Sequence, residues 1–375
     1  MAKYIFIARN TVPFANPAGL VVYRIAKALS DLGHDVDIFS LNKPTGEQKI
    51  PEWLTDGDKI HIKSFDLTKK NNISVYLRFI LTLFSKIKKE LKENKFIYIV
   101  THTNPLYTHW VGFLCKLFFY KRVKWISSFT DPYVRSPFSG YAKFTVGTGI
   151  RILEQKLSFY FSEKIIFVTD TMKNYICREN KSALNKSIVI PFFYLKDWEK
   201  RILNCNADRQ SRDDQRLIIM HAGSIYGNRD ASKFLNALEE HESTILFKNL
   251  GVVNQKIQYT SNNILITNPL PYGEMISYLK NTDYILIIDS FFDNIKNPYM
   301  PSKVVDAMYL HKPIIGITEK NSELAVFLRK TGNISIPNDR AIISSVLLKI
   351  KRKGTCDFSL YADSNLSDKF RELEC

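Results

Sequence analysis

The chain has 375 residues, of which 45% are hydrophobic, so it is long enough to form two or three domains with cores of their own. Its net charge of +16 is concentrated in residues 1–195, which hold 29 basic and 15 acidic side chains; this favours an anionic partner, either nucleic acid or an acidic membrane surface. Five scattered cysteines without a Cys-x-x-Cys pair argue against a disulfide framework or a zinc site and favour a reducing cytoplasm.

The first half of the chain alternates apolar runs with helical patterns. Runs at 4–8 and 35–39 predict strands, and the segment 19–33 between them has apolar residues at helical spacing, which indicates a β-α-β unit. Further strands are predicted at 96–100, 124–129, 164–168 and 187–190. Strands that alternate with helices are typical of a parallel, doubly wound sheet.

A second alternation follows a polar, charge-rich stretch at 197–216, which is predicted to be a linker. Its strands are predicted at 217–223, 244–247, 263–267, 284–289 and 313–317. The tail from 357 to 373 has a helical pattern. The sequence therefore predicts an α/β protein with two doubly wound parallel-sheet domains, in which ligands bind beyond the carboxyl ends of the strands.

The most informative segment is NPYMPSKVVDAMYLHKPIIG, at residues 297–316. Proline is favoured at the first position of a helix, where its missing N–H has no partner to lose, so a helix is predicted to start at Pro301. Its free N–H groups and Lys303 would suit a phosphate, and Asp306 would suit the hydroxyl groups of a sugar. An ordinary surface helix with a Lys–Asp pair is an alternative explanation of the same residues.

Two further strand-to-helix turns hold small residues that let a ligand approach the backbone. One runs from LIIMHA through Gly223 and Ser224 to Arg229, whose planar guanidinium suits phosphate oxygens. The other, PFANPAG, ends on Gly19 and predicts a second backbone approach to phosphate. Taken singly, each stretch is also compatible with a plain turn between a strand and a helix.

Together these stretches resemble the retaining glycosyltransferases of family 4, which have the GT-B fold. The motifs follow the expected order over most of the chain: the glycine-bearing loop after the first strand, HAGSIYGNR, ILFKNLG and PYMPSKVVDAMYLHKPII. The resemblance implies two Rossmann-like domains that face a central cleft. It also implies transfer of a sugar from a nucleoside-diphosphate sugar, with a UDP-sugar favoured, with retention of anomeric configuration and without a metal or other cofactor.

Residue by residue, the resemblance places Arg229 at the donor phosphates and Asp306 where the family usually has a glutamate that holds the ribose. Ser302 and Lys303 match a variant of the motif seen in bacterial polysaccharide enzymes. The family's other motif glutamate, near the donor sugar, would fall at about Pro298 and is absent. This departure leaves the donor sugar open.

Asp131 lies roughly where the family often has a histidine, so it is predicted to orient or deprotonate the acceptor hydroxyl. One alternative is that Asp131 only forms an Asp-Pro turn, and another is that His102 has the catalytic role. The predicted catalytic residues are Arg229, Lys303 and Asp131, of which the two cations stabilise the departing diphosphate. The predicted donor-binding residues are Gly19, Gly223, Ser224, Tyr226, Asn249, Pro301, Ser302 and Asp306. No metal ligands are predicted, because no histidine has another ligand at metal-site spacing.

Two first-domain stretches combine apolar bulk with cations. Residues 74–95 form a helical pattern in which apolar residues come first and lysines follow. Residues 110–125 hold two Trp, three Phe and four cations, and no Asp or Glu occurs from 94 to 130. This composition suits the interface of an anionic bilayer, although a buried helix with solvated lysines has the same pattern. The predicted membrane-binding residues are Lys116, Lys121, Arg122 and Lys124.

The resulting hypothesis is a bacterial glycosyltransferase that transfers a hexosyl or N-acetylhexosaminyl group to a glycan acceptor, lipid-linked, on the inner face of the cell membrane. Residues 1–195 would bind the acceptor and the membrane, and residues 196–355 the donor. The resemblance implies that residues 356–375 form a helix packed back on the first domain. The N-terminus lacks a signal-peptide pattern, and no apolar run approaches the ~20 residues of a spanning helix.

Two alternatives to this hypothesis stay open. A nucleotide-sugar epimerase of the same fold would share the donor site but would need no basic, aromatic acceptor face. A nucleic-acid-binding protein would use the basic first half, although the sequence has no RRM, KH, helix-turn-helix or zinc-finger pattern.

Overall fold

The structure is a computed structural model that describes residues 1–9, 11–14, 16–42, 49–66, 72–102, 107–132, 134, 146–178, 180–205, 215–253, 261–292, 297–352 and 354–374. The chain forms two compact units. The first consists of Met1–Pro191 together with Asp363–Cys375, and the second of Phe192–Ala362. The predicted domain boundaries lay after residues 195 and 355.

The first unit is built on a seven-stranded sheet. Its strands are β1 (Lys3–Ala8), β2 (Asp35–Asn42), β3 (Ile60–Asp66), β4 (Ile97–His102), β5 (Val123–Phe129), β6 (Lys164–Phe167) and β7 (Ser187–Val189). Neighbouring strands are parallel, in the order β3-β2-β1-β4-β5-β6-β7. The reversal of strand order beside β1 is the point at which doubly wound sheets bind ligands.

In the described part of this unit, six α-helices connect the strands. They are α1 (Pro17–Asp31), α2 (Asn72–Glu93), α3 (Tyr107–Phe119), α4 (Val146–Phe161), α5 (Asp170–Cys177) and α6 (Lys181–Asn185). The long helix α2 shows how the sequence fixes the packing: Phe79, Leu83, Ile87 and Leu91 recur every fourth residue and are buried in one core cluster. Because residues four apart share a helix face, this stripe of α2 faces the core.

The second unit repeats the architecture with six parallel strands, in the order β10-β9-β8-β11-β12-β13. They are β8 (Leu217–Ala222), β9 (Ile245–Leu250), β10 (Ile264–Thr267), β11 (Tyr284–Ile288), β12 (Ile314–Ile317) and β13 (Ile334–Ile336). The helices are α7 (Lys196–Asn204), α8 (Ser232–Leu238), α9 (Tyr272–Lys280), α10 (Val304–Leu310), α11 (Glu323–Lys330) and α12 (Arg340–Leu347). A short helix, α13 (Ser367–Arg371), belongs to the first unit.

The fold class predicted from the sequence is confirmed: both sheets are parallel and wound with helices. The prediction of a linker at 197–216 is wrong for its first part, because Lys196–Asn204 is the helix α7 of the second unit. Trp198 and Ile202 are buried, and the Trp198 ring lies 6.2 Å from that of Tyr309 on α10. Two buried apolar residues four apart anchor this otherwise charged helix. Residues 206–214 of the predicted linker lie outside the described residues.

Candidate functional site

In the second unit, the turn after β8 and the segment before α10 meet at Gly223. This glycine has a φ of 123°, a conformation that disfavours residues with a side chain. The side chain of Lys303 passes over it, since a Cβ atom on residue 223 would lie 2.7 Å from both Cε and Nζ of Lys303. Two motifs that are 80 residues apart in the sequence therefore share one location at the carboxyl end of the sheet.

Gly251, which follows β9, packs directly against the same turn. A Cβ atom on residue 251 would lie 2.4 Å from the carbonyl carbon of Gly223. The N–H of Gly223 donates to the carbonyl of Leu250 at 2.9 Å, and the N–H of Gly251 donates to that of Thr267 at 3.0 Å. A side chain at residue 251 would push the two loops apart, so this glycine fixes the close approach of the backbone beside Lys303.

Arg229 lies in the loop between β8 and α8, stacked near Tyr226. Its guanidinium carbon is 4.9 Å from the centre of the Tyr226 ring, which is a cation–π distance. The N–H of Arg229 donates to the carbonyl of Tyr226 at 3.3 Å across a turn that holds Gly227 at a φ of 60°. The turn and the ring together orient the guanidinium. Tyr226 itself stays half exposed.

The electrostatics of this location favour an anion. Loss of hydration, and then the charge of Arg229, lower the pKa of Lys303 to about 8, while Asp306 opposes the shift. Burial, and then the charge of Lys303, lower the pKa of His221 to about 3, so its imidazole is neutral at pH 7. The positive charges of Lys303 and Arg229 repel each other, and a bound anion would offset that repulsion.

The helix after Lys303 begins later than predicted. It starts at Val304, and Pro301 lies three residues before it rather than at its first position. The N–H groups of Val304 and Val305 donate to the carbonyls of Pro301 and Ser302 at 3.2 and 3.1 Å. The prediction that the helix starts at Pro301 is therefore wrong, because Pro301 and Ser302 form a tight turn whose carbonyls accept from Val304 and Val305. The positive charge at this end comes from the Lys303 side chain.

Asp306, on α10, accepts a hydrogen bond from the hydroxyl of Tyr272 at 3.1 Å. Tyr272 is the first residue of α9, so the bond joins two helices and orients the carboxylate. A carboxylate has about four acceptor positions, which leaves Asp306 capacity for hydroxyl groups of a ligand. Tyr272 was not predicted from the sequence, because its contact with residue 306 is made only by the tertiary fold.

A buried acid, Asp289, directly follows β11 and was not predicted as part of the site. Its carboxylate accepts hydrogen bonds from the side-chain amide of Asn297 at 2.5 Å and from the N–H of Ser290 at 3.1 Å. Desolvation raises its pKa to about 7. Asn297 also accepts from the N–H of Tyr299 at 2.9 Å, so the pair fixes both ends of the loop before Lys303. The sequence signal that could have identified Asp289 is a polar residue directly after a buried parallel strand.

Asn249 and Ser224 lie close to the same strand ends. Asn249 is fully buried on β9 and is the register partner of His221 on β8. Its side-chain amide donates to the carbonyl of Gly251 at 2.5 Å. Asn249 therefore braces the glycine loop from inside, whereas Ser224 is half-buried directly after Gly223.

In the first unit, Gly19 lies in the first turn of α1, where Asn16 is the N-cap. The side-chain oxygen of Asn16 accepts from the N–H groups of Ala18 and Gly19 at 3.0 and 3.2 Å. The capping side chain of Asn16 therefore binds the N–H of Gly19, and the approach of phosphate to this loop stays a prediction. Gly19 does line a small pocket, whose other lining residues are Ala8, Arg9, Asn16, Ala18, Val22 and His102.

Asp131 and His102, the two candidates for acceptor activation, belong to one hydrogen-bonded group. His102 ends β4, with its Nδ1 3.1 Å from the hydroxyl of Ser128 and its Nε2 3.4 Å from that of Thr130. The Thr130 hydroxyl lies 3.4 Å from a carboxylate oxygen of Asp131. Burial lowers the pKa of His102 to about 4. Asp131 keeps an exposed surface, yet desolvation by the surrounding protein raises its pKa.

The four cations predicted to bind a membrane divide into two pairs. Lys116 donates to the carbonyl of Val123 at 2.9 Å and forms an ion pair with Glu163 at 2.5 Å. Arg122 donates to backbone carbonyls at the end of α2. Lys121 and Lys124 each lie 5.8 Å from the centre of an aromatic ring, that of Tyr120 and that of Phe96 respectively. Lys116 and Arg122 therefore hold the first unit together.

Within the described ranges, no group of three or more His, Cys, Asp or Glu side chains could hold a metal ion. Among the helices described, none is long and apolar enough to cross a bilayer.

Residues 18–192, just under half of the chain, match the profile of the family described as Glycosyltransferase Family 4. No curated protein matches the sequence. Solved structures, in contrast, match it over almost its whole length. The family match thus falls almost entirely in the first unit, whereas the cations Lys303 and Arg229 lie in the second.

Three solved structures illustrate the likeness. Anabaena HepE in complex with UDP-glucose is 14% identical, with 99% of each chain covered and a TM-score of 0.64. WaaG, a glycosyltransferase involved in lipopolysaccharide biosynthesis, is 12% identical, with 99% of this chain and 94% of that chain covered and a TM-score of 0.58. UDP-GlcNAc 2-epimerase from Neisseria meningitidis, bound to UDP-GlcNAc, is 12% identical, with 99% and 98% covered and a TM-score of 0.53.

At these identities the likeness to solved structures defines the fold, which is GT-B. The family match and this fold together support a GT-B glycosyltransferase.

Proposed function

We propose that the protein is a retaining glycosyltransferase that moves a sugar from a nucleoside-diphosphate sugar to a glycan acceptor. The observation that carries the proposal is the approach of Lys303 to Gly223 at the carboxyl end of the second sheet, with Arg229 in the same electrostatic environment. The family match of the first unit supports it, as does the presence of UDP-glucose in the HepE complex. That complex also makes a UDP-sugar the favoured donor.

In the second unit, the donor diphosphate would lie against Lys303 and Arg229. When the bond to the anomeric carbon breaks, negative charge grows on the departing diphosphate, and the two cations stabilise it. They are held in place before the reaction, Lys303 across Gly223 and Arg229 on Tyr226, so little reorganisation is needed. Asp306, oriented by Tyr272, would hold the hydroxyl groups of the ribose. Pro301 and Ser302 form the tight turn that sets Lys303.

With two cations at the diphosphate, the proposed reaction needs no bound metal and no other cofactor. Magnesium in other nucleotide enzymes neutralises the same developing charge, which here falls to Lys303 and Arg229. Transfer activity should therefore persist after treatment with EDTA. A loss of activity that magnesium restores would show that the leaving group is stabilised by a metal instead.

The acceptor would bind to the first unit, where the linked group of Asp131, Thr130 and His102 offers a route to orient or deprotonate its hydroxyl. His102 is neutral at pH 7, so one of its ring nitrogens donates a hydrogen bond and the other accepts one. We assign a lipid-linked glycan to this role, at the inner face of the cell membrane, and a place in cell-surface polysaccharide synthesis. The lipopolysaccharide role of WaaG supports that assignment.

A thermal-shift panel of UDP-, GDP- and ADP-sugars tests the donor half of the proposal. A rise in melting temperature with one of them, lost in Arg229→Ala, is the expected result. No shift with any nucleotide sugar would contradict the proposal.

A nucleotide-sugar epimerase is the second candidate, favoured by the likeness to UDP-GlcNAc 2-epimerase. The two functions differ in what they require beyond the donor. An epimerase converts its nucleotide sugar without an acceptor, whereas a transferase consumes donor only slowly, by hydrolysis, until an acceptor is added. Proton NMR of the donor sugar, recorded without acceptor, separates them: a new sugar still attached to the diphosphate would favour the epimerase.

A further inference from the structure

Exposed apolar side chains in the first unit are concentrated on three consecutive helices. Of the 21 large hydrophobic residues that are well exposed in the described ranges, nine lie on α2, on α3 with the turn after it, and on α4. We call this set the three-helix face. Its members are Leu77, Leu81, Leu117, Phe118, Tyr120, Val146, Ile150, Leu153 and Tyr160.

The three helices lie side by side on one face of the first sheet. The connections from β3 to β4, β4 to β5 and β5 to β6 all step in the same direction, and crossovers of one hand then place their helices on the same side. Ring contacts confirm that neighbouring helices touch. The ring centre of Phe84 on α2 lies 5.4 Å from that of Phe118 on α3, and the ring centre of Phe113 on α3 lies 5.1 Å from that of Phe161 on α4. The exposed apolar groups therefore share one outer surface.

These apolar groups lie on the side of each helix that faces away from the core. On α2, Leu77 and Leu81 lie on the face opposite the buried Phe79 and Leu83. On α4, the exposed positions follow the spacing of a helical stripe along the whole helix, while Ser158 and Phe159 face inward. A surface helix usually presents polar residues outward, so an apolar outer face indicates a contact with something else.

The charges around the three-helix face specify what that contact is. Helices α2, α3 and α4 carry eight basic residues and three acidic ones. Of the acids, Glu154 is buried and Glu90 forms an ion pair with Lys86 at 3.0 Å. The exposed cations on these helices are Arg78, Lys88, Lys89, Lys92 and Lys156. A second copy of the chain would bring the same positive surface against itself, whereas an anionic partner would match it.

We propose that the three-helix face docks on an anionic lipid bilayer. Leucine, valine and isoleucine side chains would enter the interfacial layer, Phe118 and Tyr120 would lie at the level of the headgroups, and the exposed lysines would contact lipid phosphates. The inference gives a structural basis to the membrane location proposed above, and it moves the contact away from Lys116 and Arg122, which have partners inside the unit.

Vesicle co-sedimentation of the full chain tests the docking surface. Vesicles of phosphatidylcholine with phosphatidylglycerol should bind the protein at low salt, and phosphatidylcholine alone should not. The variant Leu81→Glu with Phe118→Glu should reduce binding at least tenfold, because it places charge in the interfacial layer. Leu348→Glu with Leu360→Glu, at equally exposed positions of the second unit, is the matched control and should bind as the unchanged chain does.

A charge variant separates the two contributions to binding. Lys88→Glu with Lys89→Glu should weaken binding strongly at low salt and much less at high salt, because exposed charges are screened over about 10 Å at 0.1 M. The matched control, Lys320→Glu with Lys330→Glu, changes two exposed lysines of the second unit and should have no effect.

Three outcomes would overturn the inference: no binding to anionic vesicles, equal loss in the apolar variant and its control, or a dimer of the chain that Leu81→Glu with Phe118→Glu dissociates. The vesicle assay contains no nucleotide sugar, so it stands apart from the donor site. If vesicle binding fails while a nucleotide sugar still raises the melting temperature, only the docking surface is wrong. If vesicles bind and no nucleotide sugar does, the proposed function fails instead.

Discussion

The two units of the molecule use positive charge in different ways. The first unit holds 31 basic and 19 acidic side chains, and exposed lysines share its helices α2 and α4 with exposed apolar side chains. The second unit holds 22 and 18, but it places Lys303 and Arg229 together at the ends of its strands, where the pKa of Lys303 falls to about 8. In the functions we propose, the excess of charge serves a large partner, whereas the few desolvated charges bind a small anion.

The units also differ in the groups that contact a buried acid. In the first, Asp37 is 3% exposed and lies 3.1 Å from Lys3 Nζ and 2.9 Å from Lys86 Nζ. In the second, Asp289 is 1% exposed and is held by neutral donors; no described Lys or Arg forms an ion pair with it. The first arrangement serves stability, because the charge is compensated. The second keeps an acid that resists ionisation next to the proposed donor site.

Replacing each buried acid by its amide should have opposite effects. Asp37→Asn leaves the buried Lys3 with one acidic partner fewer and should lower the free energy of unfolding by about 3 kcal/mol. Asp289 has a folded pKa of about 7, above its unfolded value, so the stability it contributes is lost as the pH rises from about 4 to about 7. Asp289→Asn should remove this loss and raise stability at pH 8, by an amount on the order of 2–4 kcal/mol.

Urea denaturation of the unchanged chain and both variants, at pH 5 and pH 8, measures these differences. The same pH dependence in Asp289→Asn as in the unchanged chain would show that Asp289 is ionised in the folded state across this range. Equal destabilisation by both substitutions would remove the contrast between the units.

The two cations of the second unit should dominate catalysis. Arg229→Ala and Lys303→Ala should each lower kcat/KM by more than tenfold, because a preorganised group at a developing charge contributes about 2–4 kcal/mol. Melting temperatures should stay close to that of the unchanged chain. Lys330→Ala, which removes an exposed lysine of the same unit, is the control and should leave kcat/KM unchanged. Full activity in both site variants would show that the diphosphate binds elsewhere.

Much of the fold could be predicted because buried parallel strands are continuous apolar runs, as in YIFIA and YILII. Two edge strands were missed. The strand β3 alternates with polar residues and is mostly exposed, and β13 has only three residues. Neither has the apolar run that marks a strand with neighbours on both sides.

The residues of the candidate site that belong to sequence motifs were predicted. Those that contact the site only through tertiary packing were missed. Lys303, Arg229 and Asp306 were predicted because each lies in a short motif whose residue types suit a phosphate or a sugar. The contact of Tyr272 with Asp306 joins positions 34 residues apart, which local patterns do not report. The tight turn at Pro301 is closed by backbone hydrogen bonds, and the side chain of Asn16 binds the N–H of Gly19. Sequence patterns located the charges, and local hydrogen bonds decided which of these backbone groups are already bound.

The shifted pKa of Lys303 predicts how donor binding depends on pH. The protonated amine binds the diphosphate, and its pKa in the free protein is about 8, so the affinity for the donor should fall by up to tenfold per pH unit above that value. Lys303→Arg should abolish this fall, because a guanidinium stays charged over the whole range. Isothermal titration with the donor nucleotide between pH 7 and pH 10 measures it. A flat affinity in the unchanged chain would show that Lys303 does not contact the diphosphate.

The smallest expected effect concerns Tyr272, which touches Asp306 and not the reacting atoms. Removing its hydroxyl in Tyr272→Phe deletes one hydrogen bond, worth about 0.5–1.5 kcal/mol, so KM for the donor should rise a few-fold. The value of kcat should change little, because the carboxylate would hold the ribose equally in the ground state and the transition state. Tyr278→Phe on the same helix is the control. A 2′-deoxy donor sharpens the test: if Asp306 binds the ribose, Tyr272→Phe should weaken binding of the deoxy donor less than that of the normal donor. Equal weakening of both would place Asp306 away from the ribose.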